Sequence, residues 1–332
     1  MRSTTRSLAV VRDRLPRRAR TALHAVVDAR AGLWPTARAY RTLASLAGPE
    51  PQGFHDKLLF RLAHDRRPIL TTLADRVAVR EVVTERVGAD RLPTLYGVWD
   101  AAGAVPWAEL PREVAVKATH GSGGAVLVSD RFARGVELPS RPRSVLWSRY
   151  RIHPDDLDVA RATGLLRWWL TLGFEHGPNR YPEWAYRDVP HRVLAEELLG
   201  TAQVPAREYK LFVADGVVRA IEVLDPDGLG PGVLRDRDWR PLLRSTDAGK
   251  PDGEGAAPST SGEMVALAEE LAAGMDMLRV DLYDVDGRVL VGELTSTPSG
   301  GRRIFQPDTL DLLLGEHWTL PPEVLANAVA TS

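Results

Sequence analysis

The chain has 332 residues, a formal net charge of −1 and no cysteine. Its length allows two or three packed lobes, and the missing thiols exclude disulfides, cysteine-ligated zinc and a covalent thioester on the protein. No run approaches the roughly 18 apolar residues that cross a bilayer, and the apolar run near the N-terminus is too short for a signal peptide. We therefore expect a cytoplasmic protein.

The small net charge hides an uneven distribution of charge. Residues 1–41 hold ten arginines, no lysine and two aspartates, a net of +8. Such a basic arm can dock on an anionic membrane surface or on a partner complex, and the alternative is a solvated helical face. Nucleic acid is not an expected partner, because the arm has neither interleaved aromatic residues nor a nucleic-acid motif.

Hydrophobic periodicity, glycine and proline predict the elements in chain order. Helices are predicted at residues 17–46 with an interruption near Pro35, and at 56–64, 74–87 and 264–275. Strands are predicted at residues 113–118, 125–128, 192–196, 209–214, 217–224, 278–284 and 288–294, and a long loop at 244–262. Because hairpins take the place of alternating strand, helix and strand, the predicted fold class is α+β.

The last two predicted strands carry acidic residues that suit a hard metal ion. A three-residue loop at 285–287 would place Arg279 opposite Glu293 and Asp281 diagonal to it, with Thr295 on the same face. Two carboxylates and a hydroxyl offer the oxygen ligands that Mg²⁺ prefers, so we interpret Asp281, Glu293 and Thr295 as metal ligands. A two-residue turn would put the two carboxylates on opposite faces. The alternative to a metal site is an edge hairpin whose acids face water.

A loop of small residues follows the predicted strand at 113–118. Lys117 lies near the end of that strand, and the loop consists of His120, Gly121, Ser122, Gly123 and Gly124. Successive backbone N–H groups in such a loop can surround phosphate oxygens, while the lysine adds positive charge. The loop has neither a Walker A motif nor a GxGxxG fingerprint. The alternative is an ordinary glycine turn beside a surface lysine.

These motifs, taken in order, resemble the TupA-like family of ATP-grasp enzymes. Arg-Val-Asp at 279–281, a hairpin, and Glu-x-Thr-x-x-Pro-x-Gly from Glu293 are similar to the closing motif of ATP-grasp ligases. Further similar blocks are FHDKL at 54–58, ADR at 74–76, REVV at 80–83, KATHGSG at 117–123, EWAY at 183–186, AEEL at 195–198 and EYK at 208–210. The resemblance covers about residues 54–315.

The resemblance implies an α+β ATP-grasp fold, in which two lobes hold ATP between antiparallel sheets. The implied division is a basic helical extension at 1–72, an N-terminal and central lobe with the glycine loop at 73–195, and a C-terminal lobe with the metal site at 196–332.

The resemblance also implies roles in a nucleotide site. The implied hinge, whose backbone reads the adenine edge, consists of Glu196, Glu197, Leu198 and Leu199. Nucleotide contacts are also implied for Lys117, His120, Gly121, Ser122, Gly123 and Gly124. Glu208 corresponds to the acid that takes the ribose hydroxyls, and Lys210 could reach phosphate or substrate. Arg279 is implied to stabilise charge on the reacting carboxylate. Arg80, or Arg76 in its place, stands where the family commonly has a nucleotide-binding lysine.

The implied reaction uses ATP and Mg²⁺. A substrate carboxylate takes the γ-phosphoryl group to become an acyl phosphate, and an amine then displaces phosphate to leave an amide. The substrates would be a small carboxylate and an amine, such as an amino acid or a polymer-linked uronate, in cell-surface polymer or natural-product biosynthesis. Two alternatives stay open, because fold does not fix function. One is a phosphotransferase, and the other is a non-catalytic ATP-binding scaffold in surface-polymer assembly.

Overall fold

The computed structural model describes residues 36–141, 147–174, 181–200, 206–224, 233–242 and 256–331. The predicted arm before residue 36 and most of the predicted loop at 244–262 lie outside these residues. Within the described ranges, no helix combines the length and the apolar character needed to cross a membrane.

The described part of the chain contains eight α-helices and ten β-strands. The helices are α1 Thr36–Ala47, α2 Phe54–His64, α3 Ile69–Ala74, α4 Ala78–Val87, α5 Val159–Trp169, α6 Ser261–Leu271, α7 Asp308–Glu316 and α8 Pro322–Thr331. The strands are β1 Leu95–Trp99, β2 Val114–Ala118, β3 Ala125–Val128, β4 Arg149–Ile152, β5 Val193–Glu197, β6 Arg207–Ala214, β7 Val217–Val223, β8 Val233–Arg235, β9 Met277–Val285 and β10 Arg288–Thr295. The predicted α+β fold class is confirmed.

The first sheet has the strand order β1-β5-β2-β3-β4. Neighbouring strands are antiparallel except β3 and β4, which are parallel. One face is covered by α5, whose Leu165 and Trp169 are fully buried against it. Because side chains alternate along a strand, Ala115, Ala125 and Leu127 point to the opposite face. That face carries small apolar side chains and is turned toward the second sheet.

The second sheet is antiparallel throughout, with the order β10-β9-β6-β7-β8. Tyr209, Leu211, Val280 and Leu282 lie on one face, where they form a buried cluster with residues of α3, α4 and α6. The hydrophobic effect on burying this face fixes the helices against the sheet.

The other face of the second sheet is divided into an apolar half and a polar half. Phe212, Ala214 and Met277 form the apolar half and are buried beneath α1, α2, α7 and α8. Lys210 pairs with Asp281 four residues along the strands from the pair of Ala214 and Met277, and therefore lies on the same face. The change from apolar to charged side chains therefore marks where the helical cover ends and the cleft between the sheets begins.

One predicted helix differs from the observed one for a local reason. The prediction for residues 74–87 was wrong at its start, because Ala74 ends α3 and α4 begins at Ala78. Between them Asp75 accepts the backbone N–H of Val77 at 2.9 Å and pairs with Arg192 at 2.7 Å. An aspartate that bonds its own backbone two residues ahead competes with helix formation. The predicted helix at 264–275 starts earlier, at Ser261, and α5 and β4 were not among the predicted elements.

Candidate active site

The final hairpin has a different turn from the predicted one. Val285 pairs with Arg288, so the turn has two residues, Asp286 and Gly287, with φ of 54° and 79°. Positive φ at both positions is typical of a type I′ turn, whose twist suits a hairpin. The predicted three-residue loop was therefore wrong. A two-residue turn alone would have separated the two carboxylates onto opposite faces.

A β-bulge at Gly292 restores the shared face. The register shifts between Val291 and Glu293, so Glu293 pairs directly with Asp281 and Thr295 with Arg279. One extra residue in a strand moves every later side chain to the other face. A Cβ at position 292 would collide with the ring of Tyr283, so any other residue there would force the ring or the strand to shift. The four predicted residues of the hairpin thus lie on one face, although the register differs from the predicted one. They are Arg279, Asp281, Glu293 and Thr295.

Arg279 lies at the centre of this group. Its Nε donates to Asp281 Oδ1 at 2.6 Å and its Nη2 to Asp281 Oδ2 at 2.7 Å. The same Nη2 lies 3.4 Å from Glu293 Oε2 and 3.2 Å from Thr295 Oγ1. Lys210 Nζ lies 3.4 Å from Asp281 Oδ2 on the neighbouring strand. Fork-like arginine–carboxylate pairs are strong and fix geometry, so the pair fixes the orientation of the Arg279 and Asp281 side chains on this face.

Burial and charge act in opposite directions on the two acids. Burial raises the pKa of Asp281, against the effect of Arg279 and Lys210. Burial also acts to raise the pKa of Glu293, but the nearby Arg76 and Arg279 outweigh it, so the pKa of Glu293 is lowered. Glu293 is consequently a good anionic ligand at neutral pH.

The donor set fits a hard divalent cation. Asp281 and Glu293 are directly opposite each other on paired strands, and Thr295 adds a hydroxyl oxygen on the same face. Among the described residues no group of three or more His, Cys, Asp or Glu side chains could hold a metal ion. Two carboxylates are nevertheless sufficient for Mg²⁺, which usually keeps several waters and takes phosphate oxygens as further ligands. A carboxylate has about four lone-pair sites, so Asp281 can contact Arg279 and a cation together.

A cleft of about 1170 Å³ separates the two sheets. Its second-sheet wall includes Glu208, Lys210 and the hairpin residues Arg279, Asp281, Glu293 and Thr295. Its first-sheet wall includes Lys117, Ser122, Gly123, Gly124, Glu196, Glu197, Leu198 and Leu199. The fold therefore brings most of the predicted site residues to one cavity.

Lys117 and Arg76 bring positive charge to the inner end of the cleft. Lys117 Nζ donates to Glu196 Oε1 at 2.5 Å, and Arg80 Nη1 lies 3.1 Å from Glu196 Oε2. Burial acts to raise the pKa of Glu196, but these cations outweigh it and lower the pKa. Arg76 Nη2 donates to Gly121 O at 3.1 Å and lies 3.7 Å from Glu293 Oε1. Arg76 thus connects the glycine loop with the hairpin.

Of the two candidate arginines near α4, Arg76 lines the cleft and Arg80 does not. The Nη2 of Arg80 donates to Pro93 O at 2.6 Å, and Arg80 lies beside a small cavity of about 40 Å³ behind Glu196. The structure therefore places Arg80 where it supports Glu196 and Arg76 where a ligand can reach it.

The loop after β2 owes its shape to glycine and to aromatic packing. Gly123 has φ of 96°, and a Cβ on Gly121 or Gly124 would meet the ring of Trp147 at 2.8 or 2.7 Å. Ser122, Gly123 and Gly124 line the cleft, whereas Gly121 faces the small cavity near Arg80. Because glycine has no side chain, the backbone of this part of the loop is exposed to the cleft.

His120 lies behind the loop instead of in the cleft. It is 1 % exposed, its ring stacks on that of His191 at 3.6 Å, and its Nε2 donates to the carbonyls of Trp169 and Leu172 at 3.2 and 3.1 Å. Burial and the neighbouring His191 lower the pKa of His120 to about 4, so the ring is neutral at pH 7. In this conformation His120 supports the loop and does not reach a ligand, in contrast to the predicted nucleotide contact.

The outer end of the cleft offers an apolar surface beside the implied hinge. Ala115, Ala125 and Leu127 pack together with the partly buried Phe132 and Leu198. A flat patch of small and aliphatic side chains suits a planar heterocycle. The Oε2 of Glu197 accepts the N–H and hydroxyl of Thr94 at 3.1 and 3.0 Å. The backbone N–H of Glu197 also has a partner, because it donates to Thr94 O at 2.8 Å.

Several cleft residues were not predicted. They are Arg131, Phe132, Arg149, Arg151, Tyr283 and Arg302. The alternation of Arg149, Tyr150 and Arg151 could have indicated a strand with two arginines on one face. The observed strand has only four residues, which is too short for a clear pattern. Tyr283 lies within the predicted final hairpin and faces Glu208 across β6 and β9.

The site thus combines two facing sheets, with a glycine loop on one and paired carboxylates on the other. Residues 167–319 match the family model described as TupA-like ATPgrasp. The matched segment contains the implied hinge, Glu208, Lys210 and the final hairpin, whereas Lys117 and the glycine loop precede it. A comparison with curated proteins gave no match.

Similar solved structures include D-alanine–D-alanine ligase from Helicobacter pylori, with 12% identity, coverage of 75% of this chain and 61% of the other, and a TM-score of 0.42. D-cycloserine synthetase DcsG is 16% identical, with coverage of 80% of this chain and 72% of the other and a TM-score of 0.37. ATP-grasp ligase PsnB in complex with a minimal precursor, Mg and ADP is 12% identical, with coverage of 88% of this chain and 66% of the other and a TM-score of 0.34. The chain thus spans less than two thirds of the length of the first and third of these proteins. At these TM-scores nothing about its substrate follows from them.

Proposed function

We propose that the chain is an ATP- and Mg²⁺-dependent ligase that activates a carboxylate as an acyl phosphate and couples it to an amine. The observation that carries this proposal is the shared face of Arg279, Asp281, Glu293 and Thr295 across the cleft from the glycine loop. The family match over residues 167–319 supports it.

The charges of the cleft suit the phosphates of a nucleotide. Lys117 and Arg76 bring positive charge to the inner end, and the N–H groups of Ser122, Gly123 and Gly124 add neutral donors. The apolar patch with Leu198 would hold the adenine, and Glu208 would accept the ribose hydroxyls. Each of these is a binding role that needs no covalent step on the protein.

Arg279 and Lys210 are the proposed catalytic residues. Arg279 is nine-tenths buried with its guanidinium aimed along the face that carries both acids. A guanidinium held in this way stabilises negative charge on a reacting carboxylate or on the tetrahedral centre formed when the amine attacks. Burial acts to lower the pKa of Lys210, but Asp281 and Glu208 outweigh it and raise the pKa. Lys210 is therefore a fixed positive charge and not a base.

Asp281 and Glu293, with Thr295, would hold Mg²⁺. The cation would neutralise charge on the transferring phosphoryl group. The protein contributes the placement of the two carboxylates, which the Gly292 bulge sets on one face.

The wider setting belongs to the same proposal. We assign residues 1–72 to a basic helical extension, 73–195 to the lobe with the glycine loop and 196–332 to the lobe with the metal site. The substrates would be a small carboxylate and an amine, for cell-surface polymer or natural-product biosynthesis in the cytoplasm. The basic arm would serve for docking.

The test is ADP formation across a panel of acid and amine pairs with Mg²⁺ present. A ligase sustains ADP formation over many turnovers only when both an acid and an amine are supplied, and with the acid alone it stops after about one ADP per protein, when the acyl phosphate has formed. Sustained ADP formation with an acid or alcohol alone would favour the phosphotransferase. Saturable binding of ATP without turnover on any pair would favour the non-catalytic scaffold. No binding of ATP at all would contradict the proposal.

A further inference from the structure

Seven of the cations that line the cleft form two groups that differ in their partners. Arg76, Lys117, Lys210 and Arg279 each have a carboxylate within 4.0 Å. Arg131, Arg149 and Arg151 also line the cleft, yet no carboxylate of the described residues pairs with them at that distance. The first group lies around the proposed phosphate and metal site, where its charges are already balanced.

The unpaired arginines lie in a row on the first-sheet wall. In the parallel register of β3 and β4, Arg149 stands beside Ala125 and Arg151 beside Leu127. Side chains two residues apart share a face and lie roughly 7 Å apart along the strand. Since Ala125 and Leu127 face the cleft, so do both arginines, and both are exposed.

Arg131 and Arg149 also interact with other parts of the cleft: Arg131 with the implied hinge, and Arg149 with the second sheet. Arg131 Nη2 donates to Leu199 O at 3.0 Å, and its guanidinium lies 5.4 Å from the centre of the Phe132 ring. Burial lowers the pKa of Arg131, with Glu113 opposing this and Arg151 adding to it. Burial and Glu208 raise the pKa of Tyr283 on β9, and Arg149 opposes this rise. Arg149 is therefore close enough to act on the second sheet.

The three positive charges repel one another. The proposed nucleotide site does not use any of these three arginines. The phosphates have Lys117 and Arg76, and the adenine patch is apolar. Guanidinium groups match the oxygens of carboxylates and phosphates in a two-pronged geometry. A row of three that lines a ligand cleft has the chemistry of an oxyanion site.

We propose that Arg131, Arg149 and Arg151 bind a second anionic group on the acid substrate, separate from the carboxylate that reacts. The acid substrate is then a dianion or polyanion, with a phosphate or a further carboxylate at the open edge of the first sheet. This inference rests on the proposed ligase function. It narrows the acid substrates to those that carry a second anionic group.

The test is calorimetric titration of anions into the protein at constant ionic strength with Mg²⁺ and saturating AMP-PNP. The probes are tricarballylate for carboxylates and inorganic phosphate for phosphates, with acetate as the single-charge reference. The variant is Arg149→Gln/Arg151→Gln. The matched control is Arg112→Gln/Arg134→Gln, which removes the same charge from two exposed arginines of the first-sheet lobe that pair with Asp155.

We expect one of the two probes to bind the wild type more tightly than acetate, and the glutamine variant to bind it at least about tenfold more weakly. The control should stay within about twofold, and Arg149→Lys/Arg151→Lys should keep part of the binding. The probe that binds identifies the phosphate or the carboxylate as the group recognised. Titration of AMP-PNP itself into the variant should give the wild-type affinity within about twofold.

Equal binding of tricarballylate and phosphate by the wild type and the glutamine variant would overturn the inference, as would no binding of either probe. So would a tenfold loss of AMP-PNP affinity in the variant, since the arginines would then belong to the nucleotide. A failure of the ligase proposal is detected separately, because the wild-type protein would then not bind AMP-PNP. In that case the anion titration can still be carried out without the nucleotide, and the wild type and the variant can still be compared.

Discussion

The ring of Tyr283 occupies the space that a side chain at position 292 would need, so glycine lets β10 bulge there without displacing the ring. The bulge is what sets Glu293 opposite Asp281. We therefore expect Gly292→Ala to lower the free energy of unfolding by about 1–3 kcal/mol, because the ring or the strand must shift. The measurement is urea unfolding, together with the Mg²⁺ dependence of ADP formation, which should weaken as well.

Gly262 provides the control for this substitution. It lies in α6, and a Cβ there meets nothing within 4 Å. Gly262→Ala should stabilise the protein by about 0.5–1 kcal/mol and leave the Mg²⁺ dependence unchanged. A Gly292→Ala protein as stable as the wild type would show that the bulge does not depend on glycine.

The two carboxylates of the hairpin should be needed for turnover. We expect Asp281→Asn or Glu293→Gln to lower kcat for ADP formation by on the order of 10² or more, because each removes an anionic ligand of the proposed Mg²⁺ site. Asp286→Asn at the tip of the same hairpin is the control, since it makes the same change in charge at an exposed turn. Wild-type kcat and Mg²⁺ dependence in both site variants would remove the metal site from the proposal.

Glu196 should make the stability of the protein depend on pH in the acid range. Its folded pKa is lowered from the ordinary value of 4.5, against burial, by Lys117 and Arg80. The resulting stability is fully present above about pH 4.5, and it is lost as pH falls through the folded pKa. In thermal unfolding between pH 3 and 7, Glu196→Gln should be less stable than the wild type at pH 7, with a smaller difference at pH 3. An unchanged pH profile would show that the ion pairs do not stabilise the fold.

His120 should contribute at a higher pH. Its folded pKa is lowered to about 4, by burial first and by His191 next, from an ordinary value of 6.5. The unfolded chain therefore takes up a proton that the folded chain refuses, so stability falls as pH falls from about 6.5 to 4. His120→Gln should flatten the thermal unfolding profile in this window while ATP affinity changes little. A large loss of ATP affinity, with the protein still folded, would return His120 to the nucleotide site.

The boundary of the basic arm can be tested by truncation. Ala39, Leu43 and Leu46 of α1 are buried against the helices beneath the second sheet. Removal of residues 1–35 should leave ADP formation largely intact if the arm serves for docking. Removal of residues 1–47 should strongly destabilise the protein, because buried leucines are lost. Equal stability of the two truncated proteins would mean that α1 does not belong to the core.

Four of the five strands of the second sheet could be predicted, because alternation and the turns at Asp215-Gly216 and Asp286-Gly287 are local signals, whereas the three-residue β8 was not predicted. The register of the last hairpin could not, since the bulge depends on the contact between Gly292 and Tyr283, which lie nine residues apart on different strands. The same limit applies to His120, whose burial depends on Trp169 and His191.

The charged residues of the cleft divide in the same way. Lys117, Glu208 and Asp281 belong to ordered motifs and were predicted. Arg149 and Arg151 lie on a four-residue edge strand that pairs in parallel with β3, and nothing in their local sequence indicates the neighbour. The fold of the second sheet is therefore more predictable than the arginine cluster on the first sheet.

The division of one sheet face into an apolar and a charged half has a mechanical consequence. Phe212 is locked among the aromatic rings of Phe54 and Phe305, and it pairs directly with Arg279. The proposed catalytic groups of the second sheet thus stand beside a closely packed aromatic cluster. We expect any movement that admits or releases a ligand to be carried mainly by the first sheet and by the segments that join it to the second.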